Sequence, residues 1–293
     1  MNRILLIILF SISLSTNPLT AQKNNGFELP QIPSDLKEPQ KRAAFLAIHF
    51  WDNIPFSSDS VTEIEAIIDR NFADYGTLYP ILTPDDRKAA VESLMKRAHQ
   101  SQEAYMIMAD MAEKYFYEPE SPVFNEEVFE LFLEEMINSD FLSETEKERP
   151  KFLLDDLKKN YPGEVATDFT FELPNGRKMR LSDLQATSDI LLIFFDPDCD
   201  HCRQTLENLK NSKYIQSDID AGRLVVAAIY SGDEKQDWLA YASTLPESWH
   251  VGYEPGDIYE EALYSIRTFP TIYLLDKDLR VVRRNFQLYD NNR

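Results

Sequence analysis

The only two thiols among 293 residues lie in one four-residue stretch, Cys199-Asp200-His201-Cys202. On the first turn of a helix, that spacing lets two sulfurs close a disulfide with little distortion or stand open as a dithiol. The stretch follows the apolar run 190–195, so a buried strand should end there and a helix begin. The positive end of a helix stabilises a thiolate, most of all at the first cysteine, whose sulfur is nearest the unpaired N–H groups. His201 as imidazolium would act the same way, whereas Asp196, Asp198 and Asp200 act against it, which leaves the net sign open. Three other readings compete with redox chemistry. A structural disulfide closing so short a loop removes little chain entropy. A zinc site needs four ligands, and only His49, His99, His201 and His250 could add nitrogens to this pair. His49 falls inside an apolar helical stripe and His99 on a polar helix face, which favours structural roles for both. The third is a chance pair of inert thiols. Two cysteines at this spacing on a strand–helix turn favour the redox reading.

The elements that would position this pair occupy the second half of the chain. Phe169, Phe171 and Leu173 alternate with polar residues, Pro174-Asn175-Gly176 turns the chain, and Met179 and Leu181 follow, which predicts a hairpin. Runs 190–195 and 224–230 read as buried strands flanking a helix that carries Leu206 and Leu209. Asp233…Gln236 and Asp257…Glu260 look like further helix starts. A second hairpin joins 271–275 to 279–286 through Asp276-Lys277-Asp278. Hairpin, β-α-β-α, hairpin describes an α/β sandwich with a central mixed sheet.

Residues 34–161 are helical in pattern. Thr83-Pro84-Asp85-Asp86 reads as an N-cap, a first-turn proline and acids at the positive helix end. Ser60…Glu63 and Ser143…Glu146 fit capping boxes. Apolar stripes recur at helical spacing: Phe45, Leu46, Ile48 with Phe50 and Trp51; Tyr105, Met108, Met111 and Tyr115; Phe124, Val128, Phe129, Leu131, Phe132 and Met136. Such stripes predict helix-on-helix packing. Residues 101–150 hold 14 acids against 3 bases, read first as a solvated face and second as a dock for a basic partner. The break comes at Asn160-Tyr161-Pro162-Gly163.

Composition bounds the rest. A formal charge of −20 and a pI near 4.6 exclude unassisted nucleic-acid binding. With 18 Phe, 14 Tyr and only 8 Gly, disordered and collagen-like chains are excluded. Residues 1–21 have the plan of a secretory signal: Arg3, a short apolar middle, Asn17-Pro18, then Leu19-Thr20-Ala21. The apolar run is about half the ~20 residues that span a bilayer. A periplasmic location follows, with no stable membrane insertion after cleavage and no cysteine to carry a lipid anchor. The expected organisation is a signal over 1–21, a linker over 22–33, a helical domain over 34–161 and an α/β domain over 162–293.

Cys199-x-x-Cys202 after the first buried strand, together with Arg267-Thr268-Phe269-Pro270-Thr271 before the last hairpin, resembles the thioredoxin superfamily. Residues 163–286 look like its exported ResA/TlpA branch, whose opening hairpin is similar to Ala166-Thr167-Asp168-Phe169, Asn175-Gly176 and Leu181-Ser182-Asp183-Leu184. The helical half resembles an uncharacterised domain that precedes such modules in exported proteins of Bacteroidetes-type bacteria. The resemblance implies a thioredoxin-like sandwich and a thiol–disulfide oxidoreductase. In it Cys199 is the attacking thiol, Cys202 the resolving thiol, Pro270 a cis-proline beside them, and the backbone of Phe269 a rail for a substrate strand. His201 and Asp200 would tune the thiolate. No cofactor is required, since the sulfurs carry the electrons, and the partners are protein dithiols or disulfides and an upstream redox protein. Several positions depart from the family pattern. Asp198 stands where Trp is usual, Ile193 replaces thioredoxin's buried acid, and Thr205 holds no ResA-type acid, so no general base for Cys202 is identified. The C-terminal helix that normally covers the sheet is missing or very short, and the helical half could cover that flank. The aspartates around the motif favour a reductase or isomerase over an oxidase. A redox-inactive scaffolding module is the alternative. A peroxiredoxin is disfavoured, because Asp196 and Leu192 occupy positions where that family has Thr or Ser and Pro.

Overall fold

A computed structural model describes residues 27–56, 61–184 and 189–285. The proposed signal, Ser60 of one expected capping box, and the tail from Phe286 lie outside them. The chain forms two compact units, Met1–Ser143 and Glu144–Arg293. Among the described residues no helix is long and apolar enough to cross a membrane.

The first unit is helical: α1 (Pro39–His49), α2 (Val61–Gly76), α3 (Pro84–Ala98), α4 (Gln102–Ala112) and α5 (Glu126–Asn138), with a π-helical turn over Glu113–Tyr117. Its helices start where the cap chemistry predicts. Thr83 Oγ1 accepts the Asp86 N–H at 3.1 Å, Ser101 that of Ala104 at 3.0 Å, and Asn125 that of Val128 at 3.2 Å. The core is aromatic: Trp51, Phe72, Tyr75, Tyr79 and Phe116 are fully buried, and Tyr75 meets Tyr79 edge-on with centroids 5.2 Å apart. Two stripes differ in detail from their expectation. In α1 the buried positions are Ala43, Ala44 and Ala47, with Phe45, Leu46 and Ile48 only half-buried, because small side chains take the close side of the helix. In α5 Leu133 is buried and Leu131 is not.

The second unit opens with α6 (Glu144–Leu157), which the sequence break at 160–163 assigns to the helical half. Tertiary hydrogen bonds hold its end to the unit that follows. Asp156 accepts from Ser265, Asn160 Nδ2 reaches the Leu263 carbonyl at 2.8 Å, and Arg284 reaches the Lys159 carbonyl at 2.8 Å. Then come β1 (Thr170–Glu172), β2 (Lys178–Arg180), β3 (Asp189–Phe194), α7 (Asp200–Asn211), α8 (Lys213–Asp220), β4 (Leu224–Ser231), α9 (Lys235–Ala242), β5 (His250–Glu254), α10 (Asp257–Glu260), β6 (Thr271–Leu275) and β7 (Val281–Arg284). The seven strands form one mixed sheet in the order β2-β1-β5-β4-β3-β6-β7. β3, β4 and β5 run parallel; the two hairpins flank them antiparallel. Both faces are covered, one by a cluster around Phe171, Phe194 and Tyr273, the other by one around Phe195, Leu206 and Trp238. That explains the unbroken apolar runs of β3 and β4.

β5 and α8 are not predicted from sequence. β5 is short and holds Gly252, where an added Cβ would lie 2.5 Å from Phe171 and 2.7 Å from Ile229. A glycine normally weakens a strand, but here it admits the neighbouring side chains. α8 buries no residue, so it shows little of a core stripe.

Candidate active site

Strand pairing builds the site. Phe194 at the end of β3 pairs with Thr271 at the start of antiparallel β6. The chain leaving β3 therefore emerges beside the chain entering β6. Those two loops carry the cysteine motif and Phe269-Pro270, whose peptide bond is cis.

In the first loop, Asp196 Oδ1 accepts the Asp198 N–H at 2.7 Å and the Asp196 carbonyl accepts the Cys199 N–H at 3.2 Å. This tight turn delivers Cys199 to the N-cap of α7, where its sulfur accepts the Cys202 N–H at 3.3 Å. The Cys199 sulfur also lies 3.7 Å from the Phe269 carbonyl oxygen. Cys199 is half-buried and Cys202 is fully buried, both as thiols. Burial pushes the Cys202 thiol well up from its usual range. The backbone N–H of Asp196 opposes that shift, while the Cys199 sulfur and the Asp196 carboxylate add to it. One sulfur thus faces outward at a helix N-terminus, and its partner sits behind it, held protonated.

Four of the expected site residues come together: Cys199, Cys202, Phe269 and Pro270. His201 is exposed and makes no hydrogen bond among the described residues. Asp200 is exposed and pairs with Arg203 at 2.5 Å, so its charge is partly compensated by a cation that also reaches the Pro197 carbonyl. His49 and His99 stand in the other unit. His49 Nδ1 is 2.9 Å from Asp52, and the His99 ring stacks on Phe141. No group of three potential metal-binding His, Cys, Asp or Glu side chains gathers among the described residues.

The parallel strands bring further residues to this rim that sequence spacing does not reveal. β4 ends at Tyr230 and Ser231, β5 at Glu254, and the single turn α10 adds Tyr259. Glu254 is buried, and its carboxylate accepts from Ser231 and from the N–H groups of Gly256 at 3.2 Å, Asp257 at 2.8 Å and Ile258 at 3.3 Å. It caps α10, a role that the sequence pattern suggested for Asp257. The Tyr259 ring lies edge-on to Phe269 at 6.2 Å. Partial burial raises its phenol from the usual range, reinforced by the Asp196 charge. Tyr230 is raised the same way, burial first and Asp196 among its neighbours.

Comparison with known proteins agrees with this geometry. Residues 179–285 match the thioredoxin-like domain family, and residues 11–160 match a domain of unknown function, DUF5106. A crystal structure of a thioredoxin-like protein from Bacteroides caccae is 33% identical, with a TM-score of 0.85, over 90% of this chain and 96% of that one. The chain belongs to the thioredoxin-like proteins that carry a DUF5106 domain. Two further solved structures match only part of the chain. A conserved protein of unknown function from Bacteroides fragilis is 36% identical over 44% of this chain and 93% of its own, with a TM-score of 0.42. A domain of a possible thiol-disulfide isomerase from Cytophaga hutchinsonii is 23% identical over 43% and 84%, with a TM-score of 0.35. No curated protein matches. Within this thioredoxin-like family, the β3–α7 junction described above is where the chain places its only two thiols.

Proposed function

We propose that the protein is a periplasmic thiol–disulfide oxidoreductase acting on protein substrates through Cys199 and Cys202. One observation carries this reading: the accessible Cys199 sulfur caps a helix beside the Phe269 carbonyl, 3.7 Å away, with the buried Cys202 directly behind it. Cys199 as thiolate attacks a substrate disulfide, forming a mixed disulfide and releasing one substrate sulfur. Cys202 then attacks Cys199, closes the Cys199–Cys202 disulfide and frees the second substrate sulfur. In the reverse direction a substrate dithiol reduces the pair. The first-turn position favours the Cys199 anion, and the backbone at Phe269, just before β6, offers a carbonyl to a substrate strand. His201 and Asp200, on the exposed first turn of α7, tune Cys199 through charge and make the rim that a substrate meets. Reduction or isomerisation is the favoured direction, because the acids at Asp196 and Asp198 oppose a stable thiolate. The apolar run after Arg3 supports export, with the signal over 1–21 removed.

Trapping tests the assignment. Cys202→Ser accumulates mixed disulfides with periplasmic proteins on non-reducing gels, and Cys199→Ser does not. Equal behaviour of the two variants overturns the roles.

A further inference from the structure

The resolving step has an unmet chemical requirement. Cys202 must lose its proton before it can attack, yet it is fully buried and its thiol is held protonated. Ile193 and Thr205, which line this part of the core, offer no carboxylate. Glu254 is close to the rim, but its two oxygens already take four donors, which leaves it poorly suited to accept a proton. Asp196 differs on both counts. Its carbonyl takes the Cys199 N–H at 3.2 Å, in the same turn whose Cys199 sulfur takes the Cys202 N–H at 3.3 Å, so the residue stands beside the cysteine pair. Its Oδ1 takes the Asp198 N–H, while Oδ2 takes no hydrogen bond from any described residue.

We infer that Asp196 accepts the proton of Cys202 in the resolving step, an inference that rests on the oxidoreductase reading above. The Cys202 S–H bond breaks and the proton passes to the Asp196 carboxylate. The Cys202 thiolate forms a bond to Cys199 Sγ as the bond from Cys199 to the substrate sulfur breaks. That sulfur leaves as a thiolate, and two electrons have moved from the cysteine pair to the substrate disulfide. The Asp196 charge is felt by three groups, Cys202 from α7, Tyr230 from the end of β4 and Tyr259 from α10, each of which it pushes toward the protonated form. Both tyrosines are held neutral, so Asp196 supplies the carboxylate of this set. The turn bond to Asp198 keeps it in place whether or not it carries charge.

The test is the reaction of the reduced full chain with dithiobisnitrobenzoate, which releases a coloured thiolate at each step. The first phase reports attack by Cys199 and the second reports resolution by Cys202. Asp196→Asn keeps an oxygen for the Asp198 N–H but cannot take the proton. The expected result at pH 7 is a second phase about a hundredfold slower relative to the first. That rate should climb about tenfold per pH unit as hydroxide replaces the lost base. A purely electrostatic role for Asp196 has the opposite sign. Removing a nearby negative charge would lower the Cys202 pKa and speed the second phase, and that outcome, or an unchanged rate, overturns the inference while leaving the oxidoreductase reading intact. A native protein that never releases the second thiolate overturns both.

Discussion

Thr83 in the helical unit and Cys199 in the thioredoxin-like unit occupy the same place, the residue before a helix whose side chain accepts an N–H from three residues on. The acceptor distances are 3.1 Å to Asp86 and 3.3 Å to Cys202. At Thr83 the acceptor is a hydroxyl that also donates to the Asp86 carboxylate at 2.7 Å, a reciprocal arrangement that secures the helix end. At Cys199 the acceptor is a sulfur, a weak partner while protonated and a well-stabilised one as an anion. The same backbone geometry therefore does two jobs. With oxygen it fixes a helix; with sulfur it gives up some of that stability and gains a nucleophile. The helical unit uses oxygen at α3, α4 and α5, and sulfur appears at the start of α7, beside the loop that carries Phe269.

This contrast can be broken at several points. The largest effect is on exchange itself: Cys199→Ser, which restores an oxygen cap, should reduce disulfide exchange with a model dithiol to the uncatalysed rate. Residual turnover above that level would remove sulfur's special standing at this position. Next comes the pH dependence of the buried partner. The folded-state pKa of Cys202 lies above the unfolded value, so its contribution to stability is complete below about pH 8.5 and is lost as pH rises beyond it. Reduced native protein should lose about 1.4 kcal/mol per pH unit in that range relative to Cys202→Ala. Urea unfolding at pH 8, 9 and 10 reads this directly, and parallel curves for the two proteins would contradict it. Thr83→Ala should cost about 1 kcal/mol in the unfolding of the helical unit, seen as a lower urea midpoint by circular dichroism. An unshifted midpoint would mean that the reciprocal cap is idle. The smallest effect is the complement of the first. Cys199→Ser should raise the stability of the reduced protein by about 0.5 kcal/mol, since serine caps better than a neutral thiol. A loss of stability would show that the sulfur is already a good cap.

Much of this arrangement is legible in the chain, and the legible parts share one property. Thr83 as a cap, the turn at Asn175-Gly176 with Gly176 at φ 82°, the buried runs of β3 and β4 and the N-terminal placement of Cys199 all depend on neighbours within a few residues. Where expectation and structure part, the cause lies further away. Ala43, Ala44 and Ala47 displace the larger residues of α1 because the available room is set by the opposing helices. Gly252 supports a strand because Phe171, 81 residues earlier in the chain, needs its space. Helix α6, which the DUF5106 match to residue 160 includes, is tied at its end to distant residues through Asp156, Lys159 and Asn160, bonds that its own acidic pattern does not announce.

The order of residues settles the chemistry available to this protein: two thiols at helix-turn spacing after a buried strand, and a proline before a later one. Periodicity, capping and turn propensity act over a few residues, so they can be read in order along the chain. The meeting of Cys199 with Phe269, and that of Tyr259 with Phe269, follow from strand register and from strand ends gathered at one rim. Those contacts join residues up to 70 positions apart, and only the folded sheet brings them within reach of one another.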